Sequence, residues 1–251
     1  MKITIDKENE NVRLDRFLKK RCKNNKLSEI FKAIRQGDVR VNNKKVKQDY
    51  RLNLNDEVSV NNLFYEEIKE KKLNREYANL IFFEDDKYLI INKPKGLAMH
   101  KGTGTKKGLA EIFNINFANR LDKKTSGLVI ACKNQVSLRH ITNLIREHKV
   151  KKIYEAICLN NNKYKLNEEF ELKTEINGQK AISKYKVIHL TEKNITFRVE
   201  LITGRKHQIR IQLANLGLAI VGDDKYGTYP KEAKLQLECK RIEFDEYKFE
   251  I

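Results

Sequence analysis

A charged segment without regular apolar spacing divides the chain into two stretches with different hydrophobic patterns. Residues 63–77 are rich in Glu and Lys, which is typical of a linker. Before this segment apolar residues recur at helical spacing, and after it short apolar runs alternate with helical patterns. The segment therefore predicts two domains, over residues 1–62 and 78–251, joined by a linker over residues 63–77.

The first stretch predicts a compact basic module of helices and strands. Apolar stripes at helical spacing over residues 14–18 and 27–34 predict two short helices. Gly37 ends the second helix. Val39–Val41 alternates as a strand would, and Glu57–Val60 can pair with it after a turn. A small αβ domain follows from this pattern.

The second stretch predicts a larger α+β domain. Its apolar runs are short and irregularly spaced, so a repeating βαβ pattern is not indicated. We expect a mixed, largely antiparallel sheet with helices packed on it. The predicted strands cover residues 88–91, 128–132, 154–159 and 195–201, and the predicted helices cover residues 136–147 and 207–216.

Composition favours a polyanionic partner. The chain carries 52 Lys and Arg against 34 Asp and Glu, a formal charge of +18, which suits nucleic acid. A general bias toward Lys is the alternative explanation.

The four cysteines lack zinc-ligand spacing, so neither a metal nor a disulfide is predicted, and they fit a reducing cytosol. No apolar run reaches the roughly 20 residues that span a bilayer, and Met1 to Glu10 is too polar for a signal peptide. We expect a cytoplasmic protein without a membrane partner.

Asp122 is the most informative candidate for chemistry. It lies in a loop just before the apolar residues 128–131, where a carboxylate can be held rigidly. An aspartate can be a metal ligand, a general base, a nucleophile or a helix cap, and capping is the commonest role. A magnesium-dependent phosphatase would need a second carboxylate two residues on, but Lys124 stands there.

The segment from Asn119 to Gly127 resembles a known family signature. Its sequence N-R-L-D-K-K-T-S-G is similar to H-R-L-D-x-x-T-S-G of the RluA family of pseudouridine synthases. The resemblance implies that Asp122 is the catalytic residue. It also implies a pseudouridine synthase catalytic domain for the second stretch.

Further segments match the same family in order. N-K-P at 92–94, K-x-Y-x-A at 152–156 and T-G-R-x-H-Q-I-R at 203–210 resemble its motifs, and G-D-D-K-Y-G at 222–227 resembles its RluC-like branch. By position, Tyr154 would stack on the target base or assist proton removal, although alone it would be a core tyrosine. Arg210 would pair with Asp122. Further predicted RNA contacts are Lys93, Arg120, Arg205 and His207, with structural support as the safer role for Lys93.

The first stretch resembles the S-four RNA-binding domain. R-L-D-R-F-L at 13–18 and I-R-Q-G-D-V-R-V-N at 34–42 carry the likeness. It implies a basic helix face lying against phosphates, which adds affinity more than sequence readout. An ordinary exposed helix face is the alternative. The predicted RNA-binding residues are Arg16, Lys19, Lys20, Lys32 and Arg35.

Together these resemblances imply an RNA pseudouridine synthase without cofactor or metal. The expected partner is large-subunit 23S ribosomal RNA or its assembly precursor, and the expected state is a monomer. Transfer RNA is an alternative substrate. Two other classes stay open: a ribosome-assembly factor that binds RNA without turnover, and a metal-dependent nucleotide or sugar-phosphate enzyme using Asp122.

Overall fold

The computed structural model describes residues 1–63, 76–102 and 107–251. The chain forms two compact units that divide near residue 72. The predicted linker over 63–77 lies mostly in residues 64–75, which are outside the described residues, so the proposed domain boundaries stay a prediction. No helix in the described part of the chain is long and apolar enough to cross a membrane.

The N-terminal unit packs two helices on a three-stranded sheet. Helix α2 ends as predicted at Gly37, whose φ of 86° is left-handed and whose N–H donates to the Ala33 and Ile34 carbonyls. Its core is built from the predicted stripes, including Phe17 and Ile30. The elements are β1 (Lys2–Thr4), α1 (Leu14–Arg21), α2 (Leu27–Gln36), β2 (Val39–Val41) and β3 (Glu57–Val60), with the sheet order β1-β3-β2.

The larger unit is built on one sheet of ten strands in its described residues. The main path runs β4-β5-β7-β12-β8-β11-β10-β9, while β13 pairs with β12 and β6 pairs with β7. Every pairing is antiparallel except that of β12 with β7. The strands are β4 (Ile81–Glu84), β5 (Tyr88–Lys93), β6 (Asn116–Phe117), β7 (Ser126–Cys132), β8 (Lys151–Leu159), β9 (Glu169–Ile176), β10 (Gln179–Leu190), β11 (Asn194–Leu201), β12 (Leu237–Phe244) and β13 (Tyr247–Glu250).

In the part of this unit that the structure describes, three α-helices accompany the sheet: α3 (Leu109–Phe113), α4 (Gln135–Arg146) and α5 (Gln208–Asn215), and a short 3-10 helix covers Ala78–Leu80. All seven residues of β7 are buried, as expected for a central strand covered on both faces. The mixed, largely antiparallel α+β architecture predicted from the sequence is confirmed. The predicted strands are all present and longer than predicted, because strand ends made of polar residues, such as Asn92 and Lys93 in β5, pair although they break the apolar run.

The hairpin of β9 and β10 is the largest element that the sequence analysis missed. Its two strands pair from Glu169 with Lys186 to Ile176 with Gln179. Asn177 and Gly178 form the turn with φ values of 51° and 71°, as a two-residue hairpin turn requires. The exposed face of β9 is charged, so the segment lacks the apolar run by which the other strands were found.

Candidate active site

The loop before β7 carries Asp122 and is fixed at both ends. At its start the side-chain oxygen of Asn119 accepts a hydrogen bond from the Ile130 N–H at 2.8 Å. At its end the Thr125 N–H donates to the Asp122 carbonyl oxygen at 3.1 Å. Gly127 follows with a φ of 108°, and a side chain there would collide with the backbone of β12. Asp122 is therefore presented from a short loop with little backbone freedom.

A cavity of about 250 Å³ opens beside this loop. Strands β8, β11 and β12, the segment before α5 and α5 itself supply its other walls. Most of the site residues predicted in the larger unit line it, and Lys93 does not. The predicted residues on its walls are Arg120, Asp122, Tyr154, Arg205, His207 and Arg210.

Each oxygen of the Asp122 carboxylate faces a different side chain. Oδ2 lies 3.7 Å from a guanidinium nitrogen of Arg210, and Oδ1 lies 3.6 Å from Nε2 of His207. Both separations are longer than a hydrogen bond. The Asp122 side chain is 21% exposed. The carboxylate is thus flanked by two polar groups and keeps lone pairs directed at the cavity.

Arg210 is held mainly by a different carboxylate from the one predicted. Its guanidinium donates to both oxygens of Asp223 at 2.7 Å, a bidentate geometry that is strong and directional. Burial raises the pKa of Asp223, but the hydrogen bonds from Arg210 and from the N–H groups of Lys225 and Tyr226 outweigh it and leave the pKa lowered. The expected pairing of Arg210 with Asp122 is present as an ion-pair contact of 3.7 Å, and the hydrogen-bonded pair with Asp223 stands beside it. Arg210 is held more closely by Asp223, which is fully buried and accepts hydrogen bonds from the guanidinium with both oxygens.

Tyr154 forms part of the cavity wall from β8. The residue is 5% exposed, and its pKa is raised well above the usual value, first by burial and then by the neighbouring Cys239 and Asp122. The phenol is therefore neutral at physiological pH. A neutral ring at this position suits contact with a flat base, and the raised pKa disfavours a phenolate base.

Two predicted arginines lie at the more exposed part of the cavity. Arg120, directly before Leu121, is exposed. Arg205 is partly exposed and donates through Nε to the Lys180 carbonyl at 3.0 Å, which leaves its terminal nitrogens for other acceptors. Both side chains can therefore reach an anionic ligand at the cavity.

Lys93 does not fit the predicted contact with RNA. The residue is 0% exposed, and its ammonium donates to the carbonyls of Pro94, Leu97 and Lys123. Three acceptors use all three ammonium protons. Burial lowers the pKa of Lys93 to about 8, although the nearby Asp122 charge opposes the shift. Lys93 ties the loop after β5 to the loop of Asp122, so its role is structural.

The N-terminal unit presents its predicted RNA-binding residues on its two helices. Arg16, Lys20, Lys32 and Arg35 are exposed. Lys19 is exposed too, but its ammonium donates to the Asn25 carbonyl at 2.7 Å. Arg16 and Lys20 are spaced i, i+4 on α1, and Lys32 and Arg35 are spaced i, i+3 on α2. Each pair therefore shares a helix face.

Comparison with protein families identifies both stretches. Residues 87–215 match the model described as RNA pseudouridylate synthase, and residues 12–58 match the S4 domain. The first match covers about half of the chain and includes the loop of Asp122, Tyr154 and Arg210. The chain belongs to the RNA pseudouridylate synthase family. Both resemblances predicted from the sequence are confirmed.

Relatives of this pseudouridylate synthase extend the likeness over most of its length. A protein of Vibrio parahaemolyticus named ribosomal large subunit pseudouridine synthase C is 33% identical over 250 residues, 90% of this chain and 79% of the relative. The Escherichia coli protein of that name is 30% identical over 253 residues, 90% of this chain and 78% of the relative. The structure of human RNA pseudouridylate synthase domain containing 1 is similar in fold, with a TM-score of 0.55 at 18% identity, covering 74% of this chain and 84% of that one.

Two neighbours of the synthase's site were not predicted as functional residues. Asp223 holds Arg210, and the Tyr226 hydroxyl lies 2.9 Å from Nδ1 of His207. Both come from the G-D-D-K-Y-G segment, whose likeness to the family was visible in the sequence but pointed to no contact. Pairing across 13 residues between an arginine and a carboxylate has no local sequence signal.

Proposed function

We propose that this pseudouridylate synthase isomerises specific uridines of 23S large-subunit ribosomal RNA to pseudouridine, with Asp122 as the nucleophile or base. The relatives named ribosomal large subunit pseudouridine synthase C support the substrate class. The observation that carries the catalytic assignment is the Asp122 carboxylate. It lines the cavity, and neither of its flanking groups approaches closer than 3.6 Å.

The reaction needs a reactive carboxylate and a closed site more than it needs a cofactor. The bond between the sugar C1′ and the base N1 breaks, the uracil turns, and C5 bonds to C1′. C5 then loses its proton and N1 gains one, so the product is an isomer of the substrate. An ionised carboxylate can add to carbon or accept a proton, and both routes start from Asp122.

Tyr154 and Arg210 have supporting roles in this proposal. A base stacked in RNA is out of reach, so the target uridine must leave the stack and enter the cavity. The neutral Tyr154 ring would then cover one face of the uracil. Arg210, fixed by Asp223, keeps a permanent positive charge 3.7 Å from Asp122, which attracts the carboxylate and helps to orient it.

RNA affinity would come chiefly from phosphate contacts. The exposed cations on α1 and α2 of the S4 domain, together with Arg120 and Arg205 at the cavity, suit this role. The proposal predicts that binding weakens steeply as salt rises, because each neutralised phosphate releases counterions. The target uridine and the RNA phosphates around it would thereby be bound by different residues of the chain.

The decisive experiment replaces Asp122 by Asn and measures conversion of uridine in transcribed 23S RNA. Carbodiimide modification followed by reverse transcription maps pseudouridine, and the measurement is made at enzyme excess so that one turnover suffices. We expect conversion to fall by about a thousandfold or more, as when a covalent or base catalyst is lost. Asp49→Asn is the matched control, because Asp49 is exposed in the N-terminal unit.

Conversion retained by Asp122→Asn would overturn the catalytic assignment. Conversion absent from the wild-type chain, with RNA binding intact, would instead indicate an assembly factor that binds without turnover. Conversion of uridine in transfer RNA, with none in 23S RNA, would overturn the substrate class while leaving Asp122 in place.

A further inference from the structure

His207 occupies an uncommon backbone position at the edge of the proposed catalytic cavity. It precedes α5 with a φ of 56°, in the left-handed region that non-glycine residues seldom adopt. Its carbonyl accepts the Ile211 N–H at 2.9 Å, which fixes the residue to the helix. The His207 side chain is 14% exposed and turns Nε2 toward Asp122. Such strained positions concentrate at functional sites.

The Tyr226 hydroxyl and the Asp122 carboxylate together bear on which nitrogen of His207 carries the proton. The Tyr226 hydroxyl is 2.9 Å from Nδ1, and the two rings meet edge to face with centroids 5.6 Å apart. If the hydroxyl donates to Nδ1, the proton of a neutral imidazole lies on Nε2 and points at Asp122. The opposite tautomer would turn a nitrogen lone pair toward a carboxylate, which is repulsive. The arrangement therefore selects the Nε2–H tautomer.

Burial, together with the nearby cations, favours a neutral His207. Burial lowers its pKa, the Asp122 charge opposes that shift, and nearby cations lower it further. The ionisable groups that face the ring are Asp122, Arg210, Lys225, Lys206 and Tyr226.

One turn supplies the groups that hold both neighbours of Asp122. Asp223 fixes Arg210, and Tyr226 three residues later contacts His207. The N–H of Tyr226 also donates to Asp223 at 3.1 Å, which closes the turn. Arg210 and His207 face different oxygens of the catalytic carboxylate. The position of this turn therefore affects the side chains beside both oxygens.

We propose that His207 is a positioning residue for Asp122, directing Nε2–H at Oδ1 across 3.6 Å as an electrostatic contact, in a tautomer favoured by the Tyr226 hydroxyl and by the Asp122 charge. This inference rests on the proposed function, in which Asp122 is the reacting group. No proton is transferred between His207 and Asp122 in the resting site. The contact of Nε2–H with Oδ1 helps to fix the orientation of the Asp122 carboxylate beside the cavity, and protonation of His207 would replace this arrangement by an ion pair.

The tautomer can be measured without any activity. The chain has five histidines, so a nitrogen-proton correlation spectrum of ¹⁵N-labelled protein is simple, and His207→Gln assigns the signal. We expect a neutral ring at pH 7 with the proton on Nε2. Tyr226→Phe should bring the two nitrogen shifts closer together, because only the Asp122 charge then favours the Nε2–H tautomer. A proton on Nδ1 in the wild type would overturn the proposal.

Kinetics test the consequence for Asp122. Tyr226→Phe keeps the ring and removes only the hydroxyl, and we expect kcat to fall about tenfold with KM unchanged, the effect of one lost hydrogen bond. Tyr229→Phe removes a hydroxyl from the neighbouring loop and should leave kcat unchanged. A fall in stability of Tyr226→Phe with unchanged kcat would overturn the positioning role.

The pH profile separates positioning from a structural role. Because protonated His207 would pair with Asp122, we expect wild-type kcat to fall as pH falls through the pKa of His207. His207→Gln keeps a donor and cannot titrate, so this acid limb should disappear. Persistence of the limb in His207→Gln would overturn the proposal. An inactive wild type would overturn the proposed function, and the tautomer measurement would still decide the role of His207.

Discussion

Asp122 and Asp223 are two carboxylates on one arginine, and their surroundings are opposite. Asp223 is 0% exposed and accepts two hydrogen bonds from Arg210 and two from backbone N–H groups. Asp122 is partly exposed, and Arg210 and His207 stay beyond hydrogen-bond distance. Because Asp223 holds Arg210 through Nε and Nη2, the guanidinium charge acts on Asp122 from 3.7 Å without a hydrogen bond to it. Asp223 thus takes the hydrogen bonds of Arg210, and the Asp122 carboxylate is left available to react.

The largest expected difference between the two carboxylates is in stability. Asp223→Asn leaves the buried Arg210 charge without its counterion, and breaking a buried pair costs about 3–5 kcal/mol. The polar partners of the Asp122 carboxylate lie 3.6 and 3.7 Å away, beyond hydrogen-bond distance. Asp122→Asn should therefore change the free energy of unfolding by less than about 1 kcal/mol. Urea denaturation of both variants measures this. Equal losses would show that Asp122 is as structural as Asp223.

Lys93 extends the comparison to a cation that carbonyls satisfy instead of a carboxylate. Burial lowers its pKa to about 8, from 10.5 in the unfolded chain. Above pH 8 the folded chain has lost a proton that the unfolded chain keeps, so the stability contributed by this group rises with pH. Relative to Lys93→Met, the wild type should gain about 2 kcal/mol between about pH 7.5 and pH 9.5.

Denaturation of the wild type and Lys93→Met at the two pH values provides this difference. Subtracting the variant removes the contribution of tyrosines and other lysines that titrate in the same range. A difference that does not change with pH would mean that the three carbonyls hold the ammonium charged and that its pKa in the folded chain is close to the unfolded value.

A smaller effect is expected on the titration of His207. The Asp122 charge raises the pKa of His207 against the effect of burial, so Asp122→Asn should lower that pKa. The pKa is followed by proton NMR of the imidazole signals. Asp49→Asn should leave the pKa of His207 unchanged. An unchanged pKa in Asp122→Asn would mean that the 3.6 Å contact does not persist in solution.

The smallest expected effect concerns Thr125, a third polar group beside the cavity. Its Oγ1 is buried without a hydrogen-bond partner among the described residues. Thr125→Val keeps the shape and removes the unsatisfied hydroxyl, so stability should rise by about 0–1 kcal/mol. Thermal denaturation measures it. A clear loss of stability would show that the hydroxyl has a partner, such as an ordered water.

The same contrast explains what could be predicted from the sequence. An apolar stripe at helical spacing located α2, and a continuous apolar run located β7. The loop of Asp122 was found by its resemblance to a family. The second carboxylate on Arg210 and the burial of Lys93 were not predicted, because Asp223 and the Leu97 and Lys123 carbonyls come close to them only through the fold. The Asn177-Gly178 turn of the missed hairpin, however, was visible in the sequence as a two-residue turn signal.

The place of β12 in the sheet has a consequence for how the protein is made. This strand lies between β7 and β8, yet residues 237–244 are synthesised long after both of them. A chain emerging from the ribosome therefore carries two partial sheets with open edges, and such edges pair readily with other chains. We expect the loop of Asp122 to reach its final geometry only when β12 inserts, so that a nascent chain shorter than this strand has no catalytic site.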